Sequence, residues 1–151
     1  MLKLRILNNK EIKEIIKLIE KQWGAELKLK YAFLSNQKNR IFAVNRDISK
    51  IDVSKIRVNS IGMYFCEIDG QSIRLGIEGS QIVGQKATKN VAEINEEEKK
   101  RWMMGDDIEI NGDYSGFVII KHENDFLGTG KYSNGKILNY IPKARRVSAS
   151  I

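Results

Sequence analysis

FLGTGKYSNGKILNYI, residues 126–141, holds two strand patterns around one tight reversal. Phe126 to Lys131 and Lys136 to Ile141 read as strands, and Ser133-Asn134-Gly135 separates them. Asn-Gly is the dipeptide best suited to a two-residue hairpin turn. Gly128 and Gly130 lie two apart, on one strand face, which marks close backbone approach or a bend. Gly128-Thr-Gly130-Lys131 does not make a phosphate loop. That loop needs Gly where this chain has Asp125, Ser or Thr where it has Tyr132, and a helix afterwards.

Working outward from this hairpin, Val91 to Ile94, Ile108 to Ile110 and Gly116 to Lys121 also read as strands. Asn111-Gly112 and Glu123-Asn124-Asp125 are expected as their turns, with Asn-Gly again a hairpin signal. Asn95 stands three residues before Glu98, the spacing of a capping box. Glu96, Glu97 and Glu98 then open a helix that closes with Lys99, Lys100 and Arg101. That charge order complements the helix dipole, and Gly105 supplies the stop. Several short strands and one helix in about 65 residues suggest a small β-barrel-like module.

The first half is mixed. Leu2, Leu4 and Ile6 alternate with Lys3 and Arg5 as a short edge strand. Asn8 and Glu11 form a second capping-box spacing. Ile12, Ile15, Ile16, Ile19 and Trp23 follow at helical spacing, and Gly24 ends the helix. Trp23 is expected as a core anchor. Leu29–Leu34 and Arg40–Val44 flank a turn as a hairpin, and Asp47–Lys55 reads as a helical turn. Arg57–Ile68 and Ser72–Ile77 pair across Asp69-Gly70-Gln71. Gly79–Ala87 is expected as a short apolar helix or a coil leading to a domain boundary near Gln85. The halves, 1–85 and 86–151, lack a Pro/Gly/Ser-rich linker between them and should dock closely.

Charge is distributed unevenly. The chain of 151 residues carries a formal charge of +7. Residues 91–127 hold ten acidic and four basic side chains, yet residues 128–151 contain no acid at all. In that strip Lys131, Lys136, Lys143, Arg145 and Arg146 stand unopposed, with Tyr132 and Tyr140 interleaved. Solubilising surfaces mix both signs. A basic strip with aromatics suits a polyanion with exposed bases, which points toward RNA. A charged edge that blunts a sheet would look similar in composition.

Chemistry-bearing constellations are missing. Cys66 is the one cysteine and His122 the one histidine, so neither a disulfide nor a Cys/His zinc site can be assembled within the chain. Cys66 is expected as a small core hydrophobe. Ser115, His122 and Asp125 are the letters of a hydrolase triad without a nucleophile elbow. Asp106, Asp107, Glu109 and Asp113 read as a solvated acidic loop rather than a magnesium site. No glycine-rich strand-turn-helix marks a cofactor, so no catalytic residue, metal or cofactor is assigned. The N-terminus does not resemble a signal peptide. No run approaches the roughly 18 apolar residues of a membrane helix, so a cytoplasmic protein without a membrane partner is expected.

Arg101-Trp-Met-Met-Gly105-Asp106, Gly116-Phe-Val-Ile-Ile and Phe126-Leu-Gly-Thr-Gly-Lys131 together resemble a PUA domain, an RNA-binding module. In the first half, Arg40-Ile-Phe-Ala-Val-Asn-Arg-Asp-Ile-Ser-Lys50, Ser60-Ile-Gly62-Met-Tyr-Phe65 and Ile73-Arg-Leu-Gly-Ile77 resemble the pre-PUA domain of the Nip-seven ribosome-biogenesis factors, which implies an archaeal two-domain pre-PUA plus PUA protein. Lys131-Tyr-Ser-Asn-Gly-Lys136 through Ile141-Pro-Lys-Ala-Arg-Arg146 is closer to the RNA-binding extension of NOL/NOP/Sun-type RNA cytosine methyltransferases. These resemblances imply an α+β protein. Its N-terminal domain would be of α/β type with a mostly antiparallel sheet, and its C-terminal domain a mixed β pseudo-barrel. They also imply a non-catalytic role on rRNA or pre-rRNA, with tRNA and ribosome-assembly proteins as further partners. The expected RNA surface is Lys131, Lys136, Lys143, Arg145 and Arg146, with Lys100 and Arg101 at its margin. A protein-interaction adaptor with an acidic partner, or an RNA-acting enzyme, are the other classes the strip admits.

Overall fold

The computed structural model describes residues 4–44 and 63–147. The expected helical turn over Asp47–Lys55, the start of the Arg57–Ile68 strand and the tail beyond Val147 lie outside them. Asn8 opens helix α1 (Asn9–Trp23) as its spacing with Glu11 predicts. Its Oδ1 accepts the Glu11 N–H at 2.9 Å, while Glu11 Oε1 accepts the Asn8 N–H at 3.1 Å. Two otherwise unpaired N–H groups are satisfied together. At the other end Gly24 takes φ 64°, and its N–H donates to the Glu20 carbonyl at 2.8 Å. Ile15, Ile19 and Trp23 form the buried stripe of the helix.

This stripe lies in the core beneath an antiparallel sheet, β1 (Arg5–Ile6), β2 (Ala32–Ser35), β3 (Arg40–Val44), β4 (Met63–Asp69) and β5 (Ser72–Leu75), in that spatial order. Gly70, at φ 62°, turns the β4–β5 hairpin where Asp69 faces Ser72. Between β3 and β4 the register shifts. Ile41 pairs with Cys66 and Phe42 with Tyr64, so Phe65 is an extra residue. This bulge re-aims Tyr64, and the cleft described below depends on it.

Helix α2 (Ile77–Val83) and a 3-10 turn (Gly84–Lys86) lead to the second sheet. That sheet is curled and mixed, in the order β6 (Val91–Glu93), β8 (Phe117–His122), β9 (Asp125–Ser133), β10 (Lys136–Asn139) and β7 (Ile108–Glu109). Only β6 and β8 run parallel. Helix α3 (Glu96–Met103) follows β6, capped by Asn95 and Glu98 as expected. The Asn134-Gly135 hairpin is also as expected. Both residues take positive φ, 48° and 79°, between the paired Ser133 and Lys136.

Asn111-Gly112 corrects the sequence expectation. It does not join β7 to β8 as a hairpin, because β7 pairs with β10 at the sheet edge. The dipeptide reports only a permissive backbone, and other residues direct the path. Tyr114 packs edge-on against Tyr132 at 5.5 Å, and the Ser115 N–H donates to Asn90 Oδ1 at 3.0 Å. These two contacts carry the loop across to β8.

Among the described residues there are three apolar clusters, and the two larger ones each contain residues from both sides of position 85. Val83, Ile119 and Phe126 complete the cluster around Trp23, Phe33 and Phe65, whereas Ile77 joins the one around Trp102, Ile108 and Ile137. Cys66 lies in the first cluster, where burial pushes its thiol pKa far up, so it behaves as a core hydrophobe. Hydrogen bonds cross between the halves as well. The Thr129 hydroxyl donates to the Leu75 carbonyl at 2.9 Å, and the Gly128 N–H donates to Ser80 Oγ at 2.9 Å. Among the described residues no helix is long and apolar enough to cross a membrane.

Candidate nucleic-acid interface

Strand register places the lysines. Directly opposed residues share a face, as do residues two apart along a strand. Lys131 faces Leu138 on β10 and Phe117 on β8, and Lys136 faces Ser133 on β9 and Glu109 on β7. Lys131 and Lys136 are therefore on one face of the sheet, opposite to the buried Ile137. Both are exposed and enter no ion pair among the described residues. Tyr132 belongs to the other face, partly buried against the second cluster, and is not an exposed stacking platform.

The tail departs from the sequence expectation at the end of its strand. Strand β10 ends at Asn139, two residues before the expected Ile141. The cause is the Asn139 side chain. Its Oδ1 accepts the Ile141 N–H at 2.8 Å, and its amide donates to the carbonyls of Trp102 and Asp106 at 2.8 and 2.9 Å. The Asn139 N–H in turn donates to Asp107 Oδ1 at 2.8 Å, which gives one loop acid a structural task. After Pro142 the chain makes a 3-10 turn over Lys143–Arg145.

Lys143, Arg145 and Arg146 are exposed, as expected, yet the two arginines are also anchored. Arg145 pairs with Glu78 at 2.8 Å. Arg146 Nε–H donates to the Ile141 carbonyl at 3.1 Å, and its side chain lies on Gly105, where an added Cβ would come within 2.7 Å of Arg146 Cδ. The Val147 N–H donates to the Met103 carbonyl at 2.7 Å. These bonds bring the tail to the end of α3, within a turn of exposed Lys100 and Arg101. Lys100, Arg101 and Lys143 enter no ion pair among the described residues.

A cleft of about 340 Å³ lies between the two sheets. Among the described residues its walls carry Arg40, Arg74 and Arg145, the rings of Phe42, Tyr64 and Tyr140, and no acidic side chain. The first sheet supplies one wall by alternation. Ile73 and Leu75 point into the core, which sends Arg74 to the other face. Arg40, Glu67 and Arg74 sit side by side on three adjacent strands. Glu67 accepts from Arg74 at 2.6 Å and from Arg40 at 3.4 Å. Because of the bulge, Tyr64 joins this face and packs against Phe42 at 5.9 Å. Burial pushes the Tyr64 hydroxyl pKa up, with Arg74 opposing the shift. The Arg74 guanidinium is 5.0 Å from the centroid of the Tyr140 ring, whose edge contact with Phe117 is 5.3 Å.

The strip of charge in the sequence does not reveal Arg40, Arg74 or Tyr64. Only the one-in-two alternation of Ile73-Arg74-Leu75 carries a signal, and the bulge that places Tyr64 has none. His122 is buried, with Nε2 3.2 Å from Glu96 and Nδ1 without a hydrogen-bond partner. No hydrogen bond among the described residues joins it to the side chain of Ser115 or Asp125, although Asp125 is its register partner on β9.

With this geometry in place, the second half can be compared with known proteins. Residues 89–147 match the family model described as the methyltransferase RsmF PUA domain. The chain is 29% identical over 90 residues to the ribosomal RNA small subunit methyltransferase F of Aeromonas salmonicida (strain A449), covering 59% of this chain and 19% of that protein. Its counterpart in Aeromonas hydrophila subsp. hydrophila is 28% identical over 92 residues, with 59% and 19% covered. That of Vibrio cholerae serotype O1 (strain M66-2) is 23% identical over 92 residues, with 60% and 20% covered. The matching stretch thus spans about a fifth of these relatives.

Proposed function

We propose that this protein is a non-catalytic RNA-binding protein that contacts rRNA or pre-rRNA through its PUA-like second half. The observation that carries the proposal is the match of residues 89–147 to an RsmF PUA domain. Relatives matched over 90 and 92 residues are named for action on small-subunit ribosomal RNA. The exposed cations fit the reading. Lys131 and Lys136 share one sheet face, and Lys100, Arg101 and Lys143 lie near the tail anchor. Lys and Arg side chains of this kind supply phosphate contacts, and Arg can also stack on bases.

Ribosome assembly is the setting this proposal adds, with assembly proteins as partners, on the sequence resemblance noted for Arg40 to Ile77. Crosslinking in cells followed by sequencing of bound RNA tests this. Enrichment of rRNA or pre-rRNA at defined positions is expected. Recovery of RNA in proportion to its abundance, or of tRNA alone, would contradict it.

A further inference from the structure

We infer that the cleft between the two sheets is a binding site for one unpaired nucleotide of an RNA strand, its base held by Tyr140, Tyr64 and Phe42 and its phosphate by Arg40, Arg74 and Arg145. The inference rests on the RNA-binding reading above and adds a site outside the lysine face. Its volume, about 340 Å³, is at the lower end of the roughly 300–1,000 Å³ of small-ligand pockets. That is room for a base with its sugar and phosphate, and too little for a helix of a partner protein. The chemistry of the walls divides in the same way as a nucleotide does. Aromatic rings accept any base face-on, because every base has a π-face. Guanidiniums match phosphate oxygens with paired donors.

The ion pairs around the cleft position these arginines. A guanidinium has five N–H donors, and each of the three spends one on a carboxylate that does not line the cleft. Glu67 holds Arg40 and Arg74, and Glu78 holds Arg145. Among the described residues, three guanidiniums against two carboxylates leave one net positive charge, which suits one phosphate. Arg74 also lies over the Tyr140 ring, so a base entering beside it would extend an existing cation–π stack.

The cleft adjoins the lysine face directly. Phe117 is the register partner of Lys131, and Tyr140 packs on Phe117. A single strand running over Lys136 and Lys131 therefore reaches Tyr140 next and can drop one base between the sheets. A protein segment with acidic side chains would satisfy the arginines but would leave the three rings without a planar partner.

The test uses the full chain and a single-stranded RNA oligonucleotide that carries one 2-aminopurine, placed in turn at each position. Wild-type protein should quench the fluorescence strongly at one position, as stacking requires. Tyr140→Leu, which keeps an apolar side chain, should lose that quenching and about tenfold in affinity. Its salt dependence should stay that of the wild type, because no phosphate contact is removed. Arg40→Gln, at an exposed strand position, should reduce the slope of log affinity against log salt by about 0.7. Circular dichroism confirms that each variant is folded, and an unfolded Tyr140→Leu leaves Arg40→Gln to decide. Wild-type binding that neither substitution weakens, with no position quenched, would overturn the cleft and leave the lysine face standing. Absence of RNA binding by the wild type would remove both. Displacement of the RNA by polyglutamate from wild type and Tyr140→Leu alike would assign the cleft to an acidic protein instead.

Discussion

The Trp23 indole N–H donates to the backbone carbonyl of Phe117 at 3.1 Å, across 94 residues of sequence. Gln22 Nε2 donates to the same carbonyl at 2.8 Å, and the Trp23 carbonyl accepts the Thr88 N–H at 2.8 Å. The end of α1 is thus tied to β8, which lies between β6 and β9 in the second sheet. With core side chains shared in both directions, neither half keeps an intact core without the other.

Unfolding should therefore be a single cooperative transition. Trp23 and Trp102 are both fully buried, one in each of the two larger apolar clusters. In a Trp23→Phe variant only Trp102 fluoresces, and its denaturant midpoint should fall together with the circular dichroism midpoint. A Trp102 transition at the wild-type midpoint, separate from that of the helices, would show independent halves.

Gly130 is the seat of Trp102. A Cβ added there would lie 2.7 Å from Trp102 Cη2 and 2.5 Å from Ile137 Cγ2. Gly130→Ala should destabilise by about 1–3 kcal/mol through overpacking, read by chemical denaturation. An unchanged midpoint would mean that the second sheet is packed more loosely than described.

Arg145→Ala and Arg146→Ala should behave differently from Lys131→Ala. The Arg145–Glu78 pair is partly exposed and is worth about 0.2–1 kcal/mol. Loss of Arg146 removes its bond to the Ile141 carbonyl and its packing on Gly105. The double variant should lower the melting temperature by a few degrees, whereas Lys131→Ala should not. Equal melting temperatures would mean that the tail is held by Val147 and Asn139 alone.

Glu11 makes the acid limb of stability testable. The Arg5 guanidinium, then the Asn8 N–H, holds its carboxyl down at about 2. A carboxylate with a lowered folded pKa contributes above its ordinary value near 4.5 and loses that contribution as pH falls toward 2. Wild type should therefore lose more stability than Glu11→Gln between about pH 5 and pH 2. Parallel pH profiles would show that the capping box and its Arg5 contact do not persist in solution.

Much of this architecture is legible in residue pattern because its signals are local. Asn8 with Glu11, Asn95 with Glu98, Gly24, Asp69-Gly70 and Asn134-Gly135 each dictate a cap or turn within a few residues. What pattern does not carry is partnership at a distance. Asn111-Gly112 announces a reversal, but nothing nearby says that β7 will pair with β10. The same limit applies to the site. A run of unopposed Lys and Arg is visible in the tail, yet Glu78, which takes Arg145, lies 67 residues away. Arg40, Tyr64 and Arg74 meet Tyr140 only through a bulge and the docking of two sheets.

The most direct measurement of the central claim is the salt dependence of single-strand RNA affinity. Five exposed cations, Lys100, Arg101, Lys131, Lys136 and Lys143, enter no ion pair among the described residues. If each neutralises one phosphate, these five residues contribute about −3.5 to the slope of log affinity against log salt, from about 0.7 per phosphate. Replacing Lys131 and Lys136 by Ala should bring that contribution to about −2.1 with the fold intact. A slope near zero, or one unmoved by the double substitution, would contradict an RNA surface built on these residues.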